Sequence, residues 1–468
     1  MSFYSVKTRF APSPTGLLHI GNVRTALFNA LLAKHHGGIF LLRIEDTDVT
    51  RTQRETIDAL IEDLGWLGID WQEGPGKETD MGPYHQSERH SIYDQHMRQL
   101  EEQGLVYPCF CTPEALAAAR EKQLARRKAP RYLGTCRGLS EAEIAQHLER
   151  GLVPTLRFRV PEGETLKFDD LVRGPQTFAS NDIGDFIIRR ANGAAAFFFT
   201  NAVDDALMRV THVLRGEDHL SNTPRQIMLL DALSLEVPRY GHIALVVRDD
   251  GTPLSKRHGS YSVKALRERG YLPMAVNNLL ARLGHYYQET TYMNLERLAA
   301  GFSLKRLGRA AARFDLAQLD HWQRETVAHA EADDLWTWMG RGVQELVPQR
   351  DREPFINTVR ANVRFPEHAL VWARVIYGDA LEVTAAANEV IQQTGSDFFL
   401  HSIDVLEKHP RDFQAFVAEL QGKSALRGKA FFAPLRAALT GRMDGPELKA
   451  LFPLMDPKRI RSRFEKGA

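Results

Sequence analysis

The chain has 468 residues, 43% hydrophobic and 25% charged, with a formal net charge of +1; this suggests about three domains with ample cores, and excludes a uniform basic field for nucleic acid, which would have to be met by local patches. No apolar run approaches the roughly 18 residues that span a bilayer, and Met1 to Thr8 holds no basic-then-apolar signal segment, so a soluble, cytoplasmic protein without a membrane partner is expected. Three cysteines are too few, and odd in number, for a disulfide scaffold, which leaves a reducing compartment or a metal.

Residues 6 to 71 read as two strand–helix units. Val6 to Ala11 is a short apolar strand that enters a loop of Pro12, Pro14 and Gly16 and passes His19 and Gly21 into a helical pattern. Asn22 is the expected cap of a helix through Lys34, with Val23, Ala26, Leu27, Ala30 and Leu31 on one face and Gly37-Gly38 ending it. Ile39 to Ile44 is nearly all apolar, as a strand buried on both faces should be. Thr52 with Glu55 forms a capping box for a helix to about Leu64, stopped by Gly65. The product is a parallel βαβ core with its ligand site beyond the strand C-termini, where Arg9, Ser13, His19 and Glu45 fall. The strand–turn–helix geometry aims free N–H groups at one spot and suits an anion such as a phosphate. Neither G-x-x-x-x-G-K-[ST] nor G-x-G-x-x-G is present, so neither a P-loop NTPase nor a dinucleotide fold is indicated. His19 stands where loop meets helix; taken alone, it reads better as a turn histidine satisfied by local backbone.

The string RFAPSPTGLLHIGNVRTAL from Arg9 to Leu27, with FLLRIEDTD from Phe40 to Asp48, resembles the class I aminoacyl-tRNA synthetases, specifically their glutamyl branch. His19-Ile20-Gly21 is similar to the family's HIGH signature, with Asn22 at the fourth position, which in this branch is commonly small or polar. The resemblance implies an α/β fold: a doubly wound parallel-sheet nucleotide domain, an inserted α+β acceptor-stem domain and an all-α C-terminal anticodon-binding region. It divides the chain into the first half of the catalytic domain (1–80), the insertion (81–182), the second half (183–260), a helical stem-contact domain (261–328) and a helical anticodon-binding domain (329–468).

From about Asp80 to Arg190 the hydrophobic period changes and the chain looks inserted. Cys109 and Cys111 precede a basic helical stretch and Cys136 follows it; three thiolates so spaced can clasp a tetrahedral zinc if a fourth ligand is found, and otherwise behave as small buried apolar residues. The set resembles the zinc element of some glutamyl-tRNA synthetases, in which the fourth ligand is a tyrosine four residues before the last cysteine or a histidine two after it. Gly138 holds the histidine position, leaving Tyr132. Arg120, Lys122, Arg126, Arg127, Lys128, Arg131 and Arg137 form one basic patch and Lys458, Arg459, Arg461, Arg463 and Lys466 another, each either a nucleic-acid contact or a solvated face.

Near Ile183 the nucleotide fold resumes. Phe197 to Asn201 and Val210 to Leu214 are expected strands, and Ser221 or Asn222 starts a helix that tolerates Pro224 in its first turn. The string VDDALMRVTHVLRGEDH resembles the glutamyl branch closely, with Phe197 where many members place a pocket tyrosine. His242 to Val247 is another expected strand, feeding Leu254-Ser255-Lys256-Arg257, which resembles the family's KMSKS loop with Pro253 where the first lysine usually stands. Beyond about Tyr261 the pattern is helical and without repeats, and GKAFFAPLRAALTGRMDGPEL resembles the family's anticodon cage.

The resemblance implies activation of L-glutamate by ATP with Mg2+, then transfer to the 3′-terminal adenosine of tRNA-Glu by a monomer, with activation needing the tRNA. It implies His19 and Lys256 as catalytic donors to the phosphates. Pro12, Thr15, Gly16, His19, Gly21, Asn22, Leu254, Ser255, Lys256 and Arg257 would bind ATP. Arg9, Ala11, Ser13, Glu45, Phe197, Asn201 and Arg215 would bind glutamate, and Cys109, Cys111, Tyr132 and Cys136 zinc. Arg9 and Glu45 also read as a structural ion pair. Alternatives are an enzyme that also or instead charges tRNA-Gln, and a class I-like adenylyltransferase of small molecules.

Overall fold

A computed structural model of the chain describes residues 5–47, 54–248, 250–252 and 261–468. They form two compact units, Met1–Leu266 with Asn277–Leu316, and Arg267–Val276 with Ala317–Ala468.

In the first unit β1 (Lys7–Phe10), α1 (Ile20–His35) and β2 (Ile39–Leu42) make a parallel crossover, with Lys7 opposite Ile39 and Phe10 opposite Leu42. Helix α1 starts at His19 and not at Asn22: the His19 carbonyl accepts the N–H groups of Asn22 (3.0 Å) and Val23 (3.1 Å), so Asn22 lies within the first turn. The apolar demand of Ile20, fully buried, pulls the helix start upstream of the polar side chain that would have capped it. Helix α2 (Arg54–Trp66) runs past Gly65 to a turn in which Gly68 takes φ +69°; its expected cap, Thr52, lies outside the described residues.

The insertion begins with α3 (His90–Glu102), β3 (Val106–Cys109), α4 (Pro113–Ala125), α5 (Glu141–Glu149) and β4 (Thr155–Phe158). It continues through a hairpin of β5 (Thr165–Asp170) and β6 (Gly174–Ala179), then α6 (Ser180–Ile183) and β7 (Phe186–Arg189). Strands β3, β4 and β7 form an antiparallel sheet over Tyr93, Phe158, Phe186 and Phe199.

The nucleotide fold resumes with α7 (Phe197–Leu207), β8 (His212–Gly216), α8 (Thr223–Ala232) and β9 (Arg239–Ile243). Strands β8 and β9 pair in parallel, and Thr211 N–H donating to the Lys7 carbonyl (2.9 Å) sets β8 beside β1. The order is therefore β2–β1–β8–β9, with crossovers leaving β1 and β8 in opposite directions; the gap between them is the switch point at which such folds hold ligands. Helix α8 starts after Asn222 with Pro224 in its first turn, as expected.

Two expected strands differ. Phe197 to Asn201 is the first half of α7: aromatic and β-branched content reads as strand, yet only a helix brings Phe197, Asn201, Asp204 and Asp205 to one face. His242 to Val247 is split, β9 ending at Ile243 and β10 (Val246–Val247) pairing instead with β11 (Ala312–Arg313). The second unit is helical, closed over Phe355, Phe398, Phe416, Phe431, Phe452 and Phe464.

Candidate active site

A cavity of about 480 Å³ opens at the β1/β8 switch point. Arg9, Ala11, Pro12 and Ser13 reach it from the end of β1, His19, Gly21 and Asn22 from the start of α1, and Glu45 from beyond β2. Phe197 and Asn201 enter from α7, and Arg215, Asp218 and His219 from the end of β8. Glutamate-site residues expected from sequence thus share one cavity with most of the phosphate-loop residues. Thr15 and Gly16 do not line it, and Leu254, Ser255, Lys256 and Arg257 lie outside the described residues. Further along the chain, Ser262 bridges to His19, and Val263 N–H donates to the Leu18 carbonyl (2.9 Å). Gly21 is small for a reason: a Cβ there would stand 3.2 Å from the His19 ring.

The floor is a buried charge network. Arg9 grips Asp205 through Nε (3.2 Å) and Nη2 (3.3 Å). Arg43, fully buried, meets Asp205 at 2.8 Å, Glu45 at 3.3 Å and Asp204 at 3.7 Å. Asp204 is also held by Arg89 (2.7 Å), Tyr93 (2.8 Å) and Gln86 (2.8 Å). Asn201 donates to Glu45 (2.5 Å) and accepts from Gln226 (2.8 Å). Burial pulls the Arg43 pKa down, but Asp205, Asp204 and Glu45 outweigh it and raise it. Burial raises that of Glu45 despite Arg43. Asp205 stays below the usual carboxylate range because Arg9 and Arg43 together outweigh its burial. Arg9 and Glu45 are therefore not each other's direct partner: each is set by a third residue, Asp205 and Arg43 respectively. Sequence reasoning assigned no role to Asp205, Asp204 or Arg43; the doublet at 204–205, a helix turn beyond Asn201, is the signal that carried them.

Arg215 is 5% exposed. Its Nε donates to His242 (3.1 Å) and Nη2 to Thr223 (2.7 Å), while Nη1 is buried with no partner among the described residues. A buried guanidinium nitrogen lining a cavity is costly unless an acceptor fills it, and a carboxylate is the acceptor whose geometry fits. Phe197 faces the His219 ring at 5.7 Å and offers the cavity a ring edge or face there with no hydroxyl.

In the insertion the three thiols converge. The sulfurs of Cys109, Cys111 and Cys136 lie within 4.8 Å of one another, Cys111 and Cys136 at 3.6 Å. The Tyr132 hydroxyl stands 3.4 Å from Cys109 and 3.6 Å from Cys111, its oxygen fixed by the Cys136 N–H (2.8 Å). Zn–S bonds of about 2.3 Å in a tetrahedron separate sulfurs by about 3.8 Å, so the donor set fits that ion. Burial raises the Cys109 thiol, but its hydrogen bonds with Tyr132, Arg157 and the Cys111 backbone bring it down to about 7, towards thiolate.

The basic patches fare differently. Lys122, Arg126, Lys128 and Arg131 line a groove of about 830 Å³ beside α4. Arg137 instead pairs with Asp185 (2.5 Å) and donates to the Val160 carbonyl. At the other patch Arg459 and Arg463 bond the carbonyls of Ile376, Tyr377, Val375 and Leu439, filling helix ends that lack internal donors. Arg461 pairs with Glu407 and Glu465, so this patch is largely internal structure.

Residues 5–321 match the family described as class I tRNA synthetases (E and Q), catalytic domain, and residues 344–468 match an anticodon binding domain. The chain is 54% identical over 465 residues to glutamate–tRNA ligase 2 of Nitrosococcus oceani, covering 99% of this chain and 98% of the relative. It is likewise 54% identical over 461 residues to glutamate–tRNA ligase 1 of Methylococcus capsulatus, covering 98% of each. A crystal structure of a glutamate tRNA ligase from Elizabethkingia meningosepticum, in complex with its amino acid, superposes with a TM-score of 0.89 at 26% identity over 99% of each chain. No described helix is long and apolar enough to cross a membrane.

Proposed function

The chain belongs to the glutamate–tRNA ligases of class I, and on that premise we propose that it activates L-glutamate with ATP and esterifies the 3′-terminal adenosine of tRNA-Glu. A glutamate carboxylate oxygen attacks the α-phosphorus; the new P–O bond gives glutamyl-adenylate as the bond to the β-phosphate breaks and pyrophosphate leaves. A ribose hydroxyl of the tRNA then attacks the acyl carbon and AMP departs. The substrate supplies the nucleophile, so the protein's part is alignment and charge. His19 and Lys256 would donate to the phosphates, with Mg2+ arriving on ATP and neutralising their charge. Pro12, Gly21 and Asn22 would shape the nucleotide end, and Glu45, with Ser13, would hold the amino group.

The observation that carries the assignment is the unfilled Nη1 of Arg215 beside Arg9, two buried guanidiniums in one cavity. Structural zinc on Cys109, Cys111, Cys136 and Tyr132 would tie the insertion together, and the groove beside α4 would take the acceptor end of the tRNA. A cytoplasmic monomer with a helical stem-contact segment and an anticodon-reading remainder completes the reading.

Pyrophosphate exchange tests it: glutamate-dependent exchange in the presence of tRNA is expected, and exchange indifferent to glutamate would refute the substrate. Arg215→Ala should raise the glutamate KM by about 10- to 100-fold through loss of a charged hydrogen bond. A KM within twofold of wild type removes Arg215 from the pocket.

A further inference from the structure

We propose that Asp170 and His242 are positioning residues for the amino-acid pocket: the tip of the inserted β5–β6 hairpin sets the tautomer of His242, which in turn holds Arg215 with one nitrogen open to substrate. The inference rests on the reading of Arg215 as a glutamate-binding group.

The chain of contacts is continuous and buried. Asp170 Oδ2 lies 2.5 Å from His242 Nδ1, and its other oxygen accepts the N–H groups of Val172 (2.9 Å), Arg173 (2.8 Å) and His242 itself (3.2 Å). On the far side of the ring, Nε2 faces Arg215 Nε (3.1 Å) and the Thr223 hydroxyl (3.0 Å). Arg215 Nε can only donate, and the Thr223 oxygen already accepts from Arg215 Nη2, so its own proton also turns to the ring. Two donors converge on Nε2, which must be the bare nitrogen, with the proton on Nδ1. The carboxylate of Asp170 enforces that choice. Burial disfavours its charge, but His242 and the two turn N–H groups outweigh it and keep the pKa below the usual carboxylate range. With the other tautomer, an N–H would point at the guanidinium and push it from its place.

The hairpin is built to deliver this carboxylate. Leu171 N–H donates to the Tyr240 carbonyl (2.8 Å), Arg309 donates to the Val172 carbonyl (2.9 Å), and Arg173 pairs with Glu217. Gly241 lies between β8 and the tip: a Cβ there would stand 2.6 Å from Leu214 Cδ2 and 3.2 Å from Leu171 Cβ. A segment of the insertion therefore docks on β9 and ends one ring away from the pocket arginine.

The test uses the full chain in aminoacylation with tRNA-Glu, measuring KM for glutamate and for ATP in Asp170→Asn, His242→Gln, the double variant and Arg215→Ala. Asparagine turns an N–H toward Nδ1 and so selects the wrong tautomer without changing volume. The expected result is a glutamate KM raised about 10-fold or more in each single variant, an ATP KM within about twofold of wild type, and a double variant no worse than the worse single one. A raised glutamate KM for Arg215→Ala with unchanged values for Asp170→Asn and His242→Gln overturns the inference alone; an unchanged value for Arg215→Ala overturns the pocket assignment beneath it. Equal loss for both substrates, or failure of both single variants to fold, also overturns it, because the two residues would then be pillars of the fold.

Discussion

Replacing Arg43 by methionine removes the centre of the charge network while leaving its volume nearly filled. Of the three carboxylates it meets, Asp205 keeps Arg9 and Asp204 keeps Arg89, Tyr93 and Gln86. Among the described residues Glu45 keeps only the neutral Asn201 as a direct side-chain partner. The variant therefore strands one buried carboxylate, and breaking a buried pair in this way costs about 3–5 kcal/mol. For a unit of this size that is a fall of roughly 5–15 °C in unfolding midpoint. The pH dependence has a definite sign. Glu45 already titrates above its ordinary range because of burial, and without Arg43 it rises further. A carboxyl raised in the folded state favours folding below its unfolded pKa and loses that contribution as pH rises through the folded value. The deficit of Arg43→Met should thus be smaller at pH 5 than at pH 8. Urea denaturation followed by circular dichroism at both pH values measures it. A loss below about 1 kcal/mol at pH 8, or a larger loss at pH 5, would refute the reasoning.

Other expectations are simpler to check. His19→Ala and Lys256→Ala should each slow glutamate-dependent pyrophosphate exchange about 100-fold, the scale of losing one oriented donor to a developing charge. Protein purified without chelator should carry about one zinc per chain and Cys136→Ser less than half of that, measured by atomic emission; a metal-free wild type would contradict the tetrad. His85, 3.2 Å from Asp46, has its pKa raised chiefly by that carboxylate, so the pair stabilises the fold fully below about pH 6.5 and less as pH passes its folded pKa. The difference in melting temperature between wild type and His85→Gln should therefore be larger at pH 6 than at pH 8.5, and an equal difference would count against the pair.

Local order carried the first crossover: Val6 to Ala11, the helix through Lys34 and Ile39 to Ile44 each show their period within a few residues, and the structure keeps all three with shifts at the ends. Phe197 to Asn201 misled because composition speaks for a strand while the deciding demand, four polar or aromatic side chains on one face, comes from partners in other segments. Charge counted along the sequence misled similarly at Arg137, Arg459 and Arg463, whose guanidiniums turn inward to carbonyls and carboxylates that no window contains. Asp170 and His242 carry no motif at all; their relation exists only after the hairpin has folded onto β9.

That hairpin bears on how the molecule could be taken apart or rebuilt. An insertion between two halves of a nucleotide fold invites treatment as a detachable module, to be trimmed or exchanged for that of another enzyme. Here the excised piece would take with it the carboxylate behind Arg215, and the Tyr240 carbonyl would lose its Leu171 partner. Grafts that cut at the ends of the insertion should therefore keep residues 165–179 with the nucleotide fold, and a chimaera that replaces them inherits whatever amino-acid pocket the donor's hairpin can support.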